Sequence, residues 1–259
     1  MSENPEPQDQ TDVAPDRPCS AWVAKVITLV PGAFPGVLGE SLTGKALDEG
    51  RWRLDVTDLR PFGVGRHKNV DDTPAGGGAG MVLRADVLAD ALDHVGADMP
   101  TDRARWPLVY LSPRGARFDQ ATAQRFAACE GVTLLCGRFE GVDERVLEEY
   151  GIEEVSLGDF VMTGGEIAAM AVIDAAVRLR PGVLGNLAST EDESFSHGLL
   201  EHPHYTRPAE WRGRTIPDVL LSGHHGEIGK LRQAEAERIT RERRPDLWAA
   251  HVEKKRGGP

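Results

Sequence analysis
The chain lacks the features that would tie it to a membrane, an oxidising compartment or a phosphate-cradling loop. No apolar run approaches the roughly 18 residues that a membrane-spanning helix needs. Cysteine is scarce: Cys19, Cys129 and Cys136 form no C-x-x-C pair and no disulfide framework, which fits a reducing, cytoplasmic setting. The opening stretch MSENPEPQDQTDVAPDRP has no apolar centre and is not a secretory signal. It sets Glu3, Glu6, Asp9, Asp12 and Asp16 against Arg17 and reads as a disordered acidic tail over residues 1–20. Positive charge is short overall, with 30 Lys and Arg against 41 Asp and Glu and a formal net charge of −11. That balance argues against non-specific nucleic-acid binding, but not against an enzyme with local basic patches. There is no G-x-G-x-x-G, which counts against a nicotinamide-dependent oxidoreductase, and no G-K-[ST], which excludes a P-loop.

What is there points to an α/β protein. Hydrophobic content of 40% and charged content of 27% are ordinary for a soluble globular chain, and 259 residues can hold one large domain or two smaller ones. Trp22 to Leu29 is β-rich. Arg51 to Leu59 alternates Trp52, Leu54 and Val56 with Arg53, Asp55 and Thr57, the period of a half-buried strand. Arg60 to Gly80 is long and glycine-rich, and reads as a functional loop or lid rather than a plain connection. After a helix over Val87 to Val95, a β-loop-α unit occurs three times. The strands are Pro107–Leu111, Val132–Leu135 and Ile152–Ser156. The helices span Asp119–Cys129, Val142–Tyr150 and Ile167–Leu179, the last with a capping-type start at Thr163. Short apolar strands alternating with helices indicate a buried, mostly parallel sheet, in which ligands sit at the carboxyl ends of strands. The loops after those strands, Ser112-Pro113-Arg114-Gly115, Cys136 to Gly141 and Ser156 to Glu166, are therefore expected to converge on one ligand.

Beyond Arg180 the character changes. Pro181-Gly182 ends the long helix, Asn186 to Glu201 is polar and linker-like, and residues from about 200 onward read as a smaller, mainly helical domain. Basic patches lie at Arg66-His67-Lys68, at Arg114 with Arg117, at Arg207 with Arg212 and Arg214, and along Lys230 to Arg244. The last of these reads equally as an RNA-contacting helix or as a solvated helix laced with ion pairs. His202 and His204 with His224-His225 have metal-ligand chemistry, but their turn-like setting without a nearby cysteine favours ordinary surface histidines, and no metal site is assigned.

Six segments, taken together, resemble the bacterial tRNA (guanine-N1)-methyltransferases of the TrmD type. They are Val70–Met81, Tyr110–Pro113, Cys136–Arg145, Gly158–Glu166, Pro181–Gly185 and Pro203–Pro208, in the family's order, within a resemblance running from about Ala24 to Arg244. The resemblance implies a SPOUT-type parallel sheet with a deep trefoil knot, which pattern reasoning would not reach because knotted chains are rare. It implies a homodimer with the active site at the subunit interface, no membrane partner, and tRNA as the substrate. The implied reaction is methyl transfer from S-adenosylmethionine to N1 of guanosine 37. Mg2+ enters only as an accessory that the family admits. The implied domains are a SPOUT methyltransferase domain at 21–185, a flexible linker at 186–203 and a helical tRNA-binding domain at 204–259.

Carried over by motif, the donor site should comprise Tyr110, Ser112 and Pro113; Gly137, Glu140 and Gly141; and Leu157, Gly158, Asp159, Phe160, Val161, Met162, Gly164 and Gly165. Phe160 occupies a usual aromatic position, and Phe139 replaces a common Tyr. Guanine N1 carries a proton at neutral pH, so a carboxylate to remove it and an arginine to face the charge growing on O6 form the economical machinery. The family's arginine maps to Arg178. Its catalytic aspartate, counted back from Ser194-Phe195, maps to Glu193, with Asp192 as the neighbour that a one-residue shift would bring into place. Expected tRNA contacts are Arg66, His67, Lys68, Arg207, Ser222-Gly223-His224-His225 and the 230–244 helix of the partner subunit. The competing readings are another SPOUT RNA methyltransferase and, in a different class, a non-catalytic RNA-binding module.

Overall fold
The computed structural model describes residues 21–185 and 193–257. The tail at 1–20, with Cys19, and the linker stretch 186–192, with Asp192, lie outside the described residues.

The elements follow in chain order: β1 Trp22–Thr28, α1 Ser41–Asp48, β2 Trp52–Asp58, β3 Asp71–Asp72, β4 Val82–Leu83, α2 Ala85–Gly96, β5 Leu108–Arg117, α3 Gln120–Ala128, β6 Gly131–Leu135, α4 Glu144–Tyr150, β7 Glu153–Ser156, α5 Glu166–Val177, β8 Glu210–Trp211, β9 Arg214–Thr215, α6 Asp218–Leu221, α7 His225–Arg243 and α8 Pro245–Gly257. Five strands form one sheet in the order β2-β1-β6-β5-β7, and all four pairings are parallel. β1 and β6 are buried along their whole length, because helices cover both faces of the sheet.

Alternation along the strands separates two apolar layers. Trp22, Ala24, Val26, Val132 and Leu134 pack with Phe126 of α3 and with Ala169, Val172, Ile173 and Ala176 of α5. Ile27, Leu135, Leu108 and Tyr110 point the other way, onto Val87, Leu88 and Ala91 of α2 and Val146 and Leu147 of α4. Lys25 and Glu166 are the charged residues buried in this frame among the described residues. Lys25 donates from Nζ to the Val95 carbonyl at 3.0 Å, near the end of α2 where carbonyls lack helical partners, and pairs with Asp98. Edge strand β2 is only half covered, as its alternation predicts, with Trp52 the buried anchor.

Four local expectations change. The strand expected to stop at Leu111 continues to Arg117. Its register against β7 slips so that both Leu111 and Ala116 face Val155, and Ser112 to Gly115 form a bulge inside β5 instead of a loop after it. Helix α5 is not capped by Thr163. Gly165 is its N-cap and no side chain caps it. The 60–80 stretch is not one loop. It divides into a single-turn helix at Arg60–Phe62, a bridge between Val64 and Asn69, and the β3–β4 pair around the glycine-rich turn. The part beyond residue 200 carries the β8–β9 hairpin as well as helices. There α7 and α8 pack through the Arg241 guanidinium over the Trp248 ring at 4.5 Å and the Lys255–Glu237 pair at 3.1 Å.

Candidate active site
β1, β5, β6 and β7 all run the same way, so the chain leaves them on one side of the sheet. Three segments meet there: the β5 bulge, residues 136–143 after β6, and residues 157–165 after β7. Backbone hydrogen bonds lock them together. Gly165 N donates to Gly137 O at 3.1 Å, Phe118 N to Ser156 O at 2.7 Å, and Glu140 N to Met81 O at 2.9 Å. The last bond, with Leu83 N to Gly141 O at 2.9 Å, fastens the end of the glycine-rich turn to the second segment.

Two glycines are required by proximity. A Cβ on Gly165 would stand 2.8 Å from Cys136 Cα, and one on Gly137 would stand 2.7 Å from the Tyr110 ring. Beneath the segments lies Glu166, almost fully buried, which accepts from Thr28 Oγ1 at 2.7 Å and from Arg138 Nη2 at 2.9 Å. A buried carboxylate held by an arginine and a hydroxyl joins the second segment to the start of α5.

The segments enclose a cavity of about 200 Å3. Of the fourteen donor-site candidates, Tyr110, Ser112, Pro113, Gly137, Glu140, Gly141, Leu157, Gly158, Phe160, Val161, Met162, Gly164 and Gly165 line it. Asp159 does not. Its carboxylate is 91% exposed and pairs with Arg117 at 3.1 Å. The lining adds Leu111, Arg138, Phe139, Val155, Ser156, Thr163 and Ala168, which the motif mapping did not assign to the site. Arg138 could have been suspected, since it stands inside the Cys136–Arg145 motif. Leu111 and Ala168 carried no signal beyond being apolar. Burial raises the Tyr110 hydroxyl and pushes the Cys136 thiol far up, so both are neutral at physiological pH. The cavity combines an apolar wall with the polar side chains of Ser112, Arg138, Glu140 and Thr163, which suits a flat heteroaromatic ligand with polar edges.

Arg178 and Glu193 meet elsewhere. Arg178, at the carboxyl end of α5, donates from Nη1 to Glu193 Oε2 at 2.7 Å and from Nη2 to Oε1 at 2.5 Å, a two-pronged charge-assisted pair. The Arg178 guanidinium holds the Glu193 carboxyl below its ordinary range, and Glu193 in turn raises Arg178. Neither residue lines the cavity.

Among the other candidates, Arg66, His67, Lys68, Arg207 and Ser222 to His225 are exposed. On α7 the ion-pair reading holds for part of the basic set: Lys230 pairs with Glu227 at 2.9 Å, and Arg238 with Glu235 and Glu242 at 2.8 Å each. Just beyond it, Arg244 pairs with Asp246 at 2.5 Å. His204 pairs with Glu201 at 2.8 Å. Among the described residues no group of three or more His, Cys, Asp or Glu could hold a metal, and no helix is long and apolar enough to cross a membrane.

Fold and cavity define a parallel α/β protein with its ligand site at the carboxyl ends of the strands. The family model for tRNA (guanine-1)-methyltransferase TrmD matches residues 23–250, and the chain belongs to that family. It is 72% identical over 234 residues to a tRNA (guanine-N(1)-)-methyltransferase of Ruegeria sp. (strain TM1040), covering 90% of this chain and 95% of the relative. It is 72% identical to one from Ruegeria pomeroyi, covering 89% and 93%. To one from Brucella ovis it is 56% identical over 242 residues, covering 93% and 98%.

Proposed function
We propose that this chain transfers a methyl group from S-adenosylmethionine to N1 of guanosine 37 in tRNA. Family membership across residues 23–250 carries the proposal, and the cavity built from the family's own motif segments supports it. The residues present suit the donor. Gly137 and Gly165, with no side chains, leave space at the segments for an adenine ring, while Leu157, Met162 and Ala168 offer an apolar wall. Asp159 is kept as a donor-site candidate only through its place in the motif. When bound, S-adenosylmethionine supplies a methyl group on a positively charged sulfur that leaves as a neutral thioether.

Glu193 accepts the N1 proton of guanine, and Arg178 turns its guanidinium toward O6, where the negative charge gathers. Their mutual ion pair keeps Glu193 ionised and ready, and the incoming base must part it. Asp192 remains the alternative carboxylate. Mg2+ stays the accessory that the family admits, and among the described residues no group of three or more His, Cys, Asp or Glu could hold it.

A second copy completes the site in this reading. Arg178 lies thirteen residues beyond Gly165, roughly 20 Å along the helix, too far for one chain's pair to reach its own cavity. The exposed face of α5, starting at Ile167, and the neighbouring Val37, Leu42 and Val161 offer apolar surface for that partner. The knot, the 21–185 and 204–259 domains joined by a linker at 186–203, and tRNA contacts at Arg66, His67, Lys68, Arg207, residues 222–225 and α7 belong to the same reading.

The test is methyl incorporation from labelled S-adenosylmethionine into a tRNA transcript carrying guanosine at positions 36 and 37, with mass spectrometry of the product. N1-methylguanosine at position 37 is expected. No incorporation would overturn the proposal, and a methyl group at another atom would move the chain to a different specificity.

A further inference from the structure
Glu193 opens a short closed loop that runs to Glu201. Inside it, Phe195 N donates to Leu199 O at 2.7 Å and Glu201 N to Ser194 Oγ at 3.0 Å. These bonds shape the loop but do not fix it to the rest of the molecule. Between the loop and α7 lies a cavity of about 210 Å3, lined by Glu193, His197, Leu200, Arg232 and Gln233 among others, so the loop packs on α7 over only part of its length. One attachment runs to α5 through the Arg178–Glu193 pair, and another runs to α7. Thr240 of α7 is fully buried, accepts from Leu200 N at 2.8 Å through Oγ1, and donates from the same oxygen to Ala236 O at 2.7 Å. Donating to its own helix orients the hydroxyl so that a lone pair is left for the loop. Leu199, buried beside it, supplies the apolar half of the anchor.

We infer that Thr240 is a positioning residue for methyl transfer, tying the loop that presents Glu193 to helix α7. The inference rests on the role proposed for Glu193. Movement of α7 on tRNA docking is then passed to the loop through this hydroxyl, and losing it lets the general base drift by a fraction of an ångström to an ångström, enough to cost on the order of 10- to 100-fold in rate.

Single-turnover methyl transfer on full-length protein tests this with Thr240→Val, which keeps the shape and removes the hydroxyl, and Thr240→Ser, which keeps the hydroxyl. Thr240→Val should slow the chemical step about 10- to 100-fold with S-adenosylmethionine affinity unchanged, and Thr240→Ser should stay within about twofold of wild type. If Thr240→Val does not fold, Thr240→Ala against Thr240→Ser gives the same comparison, because they differ by one oxygen. Equal rates for the variants with and without the hydroxyl would overturn the inference. Glu193→Gln run beside them separates the two claims. Full activity there removes the role of Glu193 and the inference with it, whereas a dead Glu193→Gln beside a fully active Thr240→Val removes the inference alone.

Discussion

Around the cavity, position is set by backbone. Around Arg178 and Glu193, it is set by side chains. Three chain segments at the strand ends are joined by main-chain hydrogen bonds, by glycines that admit no Cβ, and by a nearly inaccessible carboxylate, Glu166. The Arg178–Glu193 pair is held by two side-chain bonds, with 29% and 27% of the two side chains still exposed, and its loop is fastened to α7 by Thr240. A rigid slot suits a donor that must be bound in one pose. A looser pair suits the proposed roles, in which Arg178 and Glu193 separate as the acceptor base arrives. The contrast also explains why different residue types carry the two regions: glycine where backbones must touch, long charged side chains where a contact must break.

The contrast makes measurable claims, the strongest concerning Arg178 and Glu193. Arg178→Ala and Glu193→Gln should each lower the single-turnover rate by about 100-fold or more while leaving S-adenosylmethionine affinity intact. Weakened donor binding, measured by calorimetry, would show that the two regions are not separate. Next comes Gly165→Ala, whose new methyl would meet Cys136 Cα at 2.8 Å. Overpacking of this kind costs about 1–3 kcal/mol, so the donor Kd should rise roughly 5- to 100-fold, and an unchanged Kd would mean the segments are less rigid than drawn.

Glu166→Gln keeps the hydrogen-bonding shape but leaves Arg138 without its counter-charge. Because Arg138 is 29% exposed, the loss should be of order 1–2 kcal/mol, seen as a fall of several degrees in Tm. No change in Tm would assign Glu166 no part in holding the segments. The smallest effect concerns pH. Arg178 lowers the folded-state pKa of Glu193 below its unfolded value of about 4.3, so the pair's contribution is complete above that value and disappears as pH falls through the lower folded one. The stability difference between wild type and Glu193→Gln, about 1 kcal/mol or less, should be flat from pH 5 to 8 and shrink below pH 4 in denaturant titrations. A difference that grew on acidification would contradict the pairing.

Much of this was legible from residue order. Val132–Leu135 and Ile152–Ser156 announced buried strands because short apolar runs between turn signals have few other uses, and the segments after them were expected at one site for the same reason. The half-covered strand β2 was visible in its alternation. The Ser112–Gly115 bulge was not, since Ser-Pro-Arg-Gly carries turn chemistry and nothing local says that β7 will pair beyond it. Asp159 sits between two cavity residues in sequence yet points to Arg117, because a glycine-flanked turn can aim neighbouring side chains in opposite directions. The burial of Lys25 inside β1 was not legible either, because its partners Val95 and Asp98 are about seventy residues away.

The sequence by itself determined the α/β class and the segments that follow β6 and β7, because short-range periodicity and turn chemistry are local. The family resemblance, carried by the order of its motifs, supplied most of the cavity residues and the catalytic candidates Arg178 and Glu193. Only the tertiary structure decided that Glu166 joins Thr28 to Arg138, that Arg178 and Glu193 face each other and not the cavity, and that Thr240 holds the Glu193 loop. Each of those links residues between 15 and 138 positions apart. Contacts at such separations are chosen by how whole elements pack, and no run of neighbouring residues encodes them.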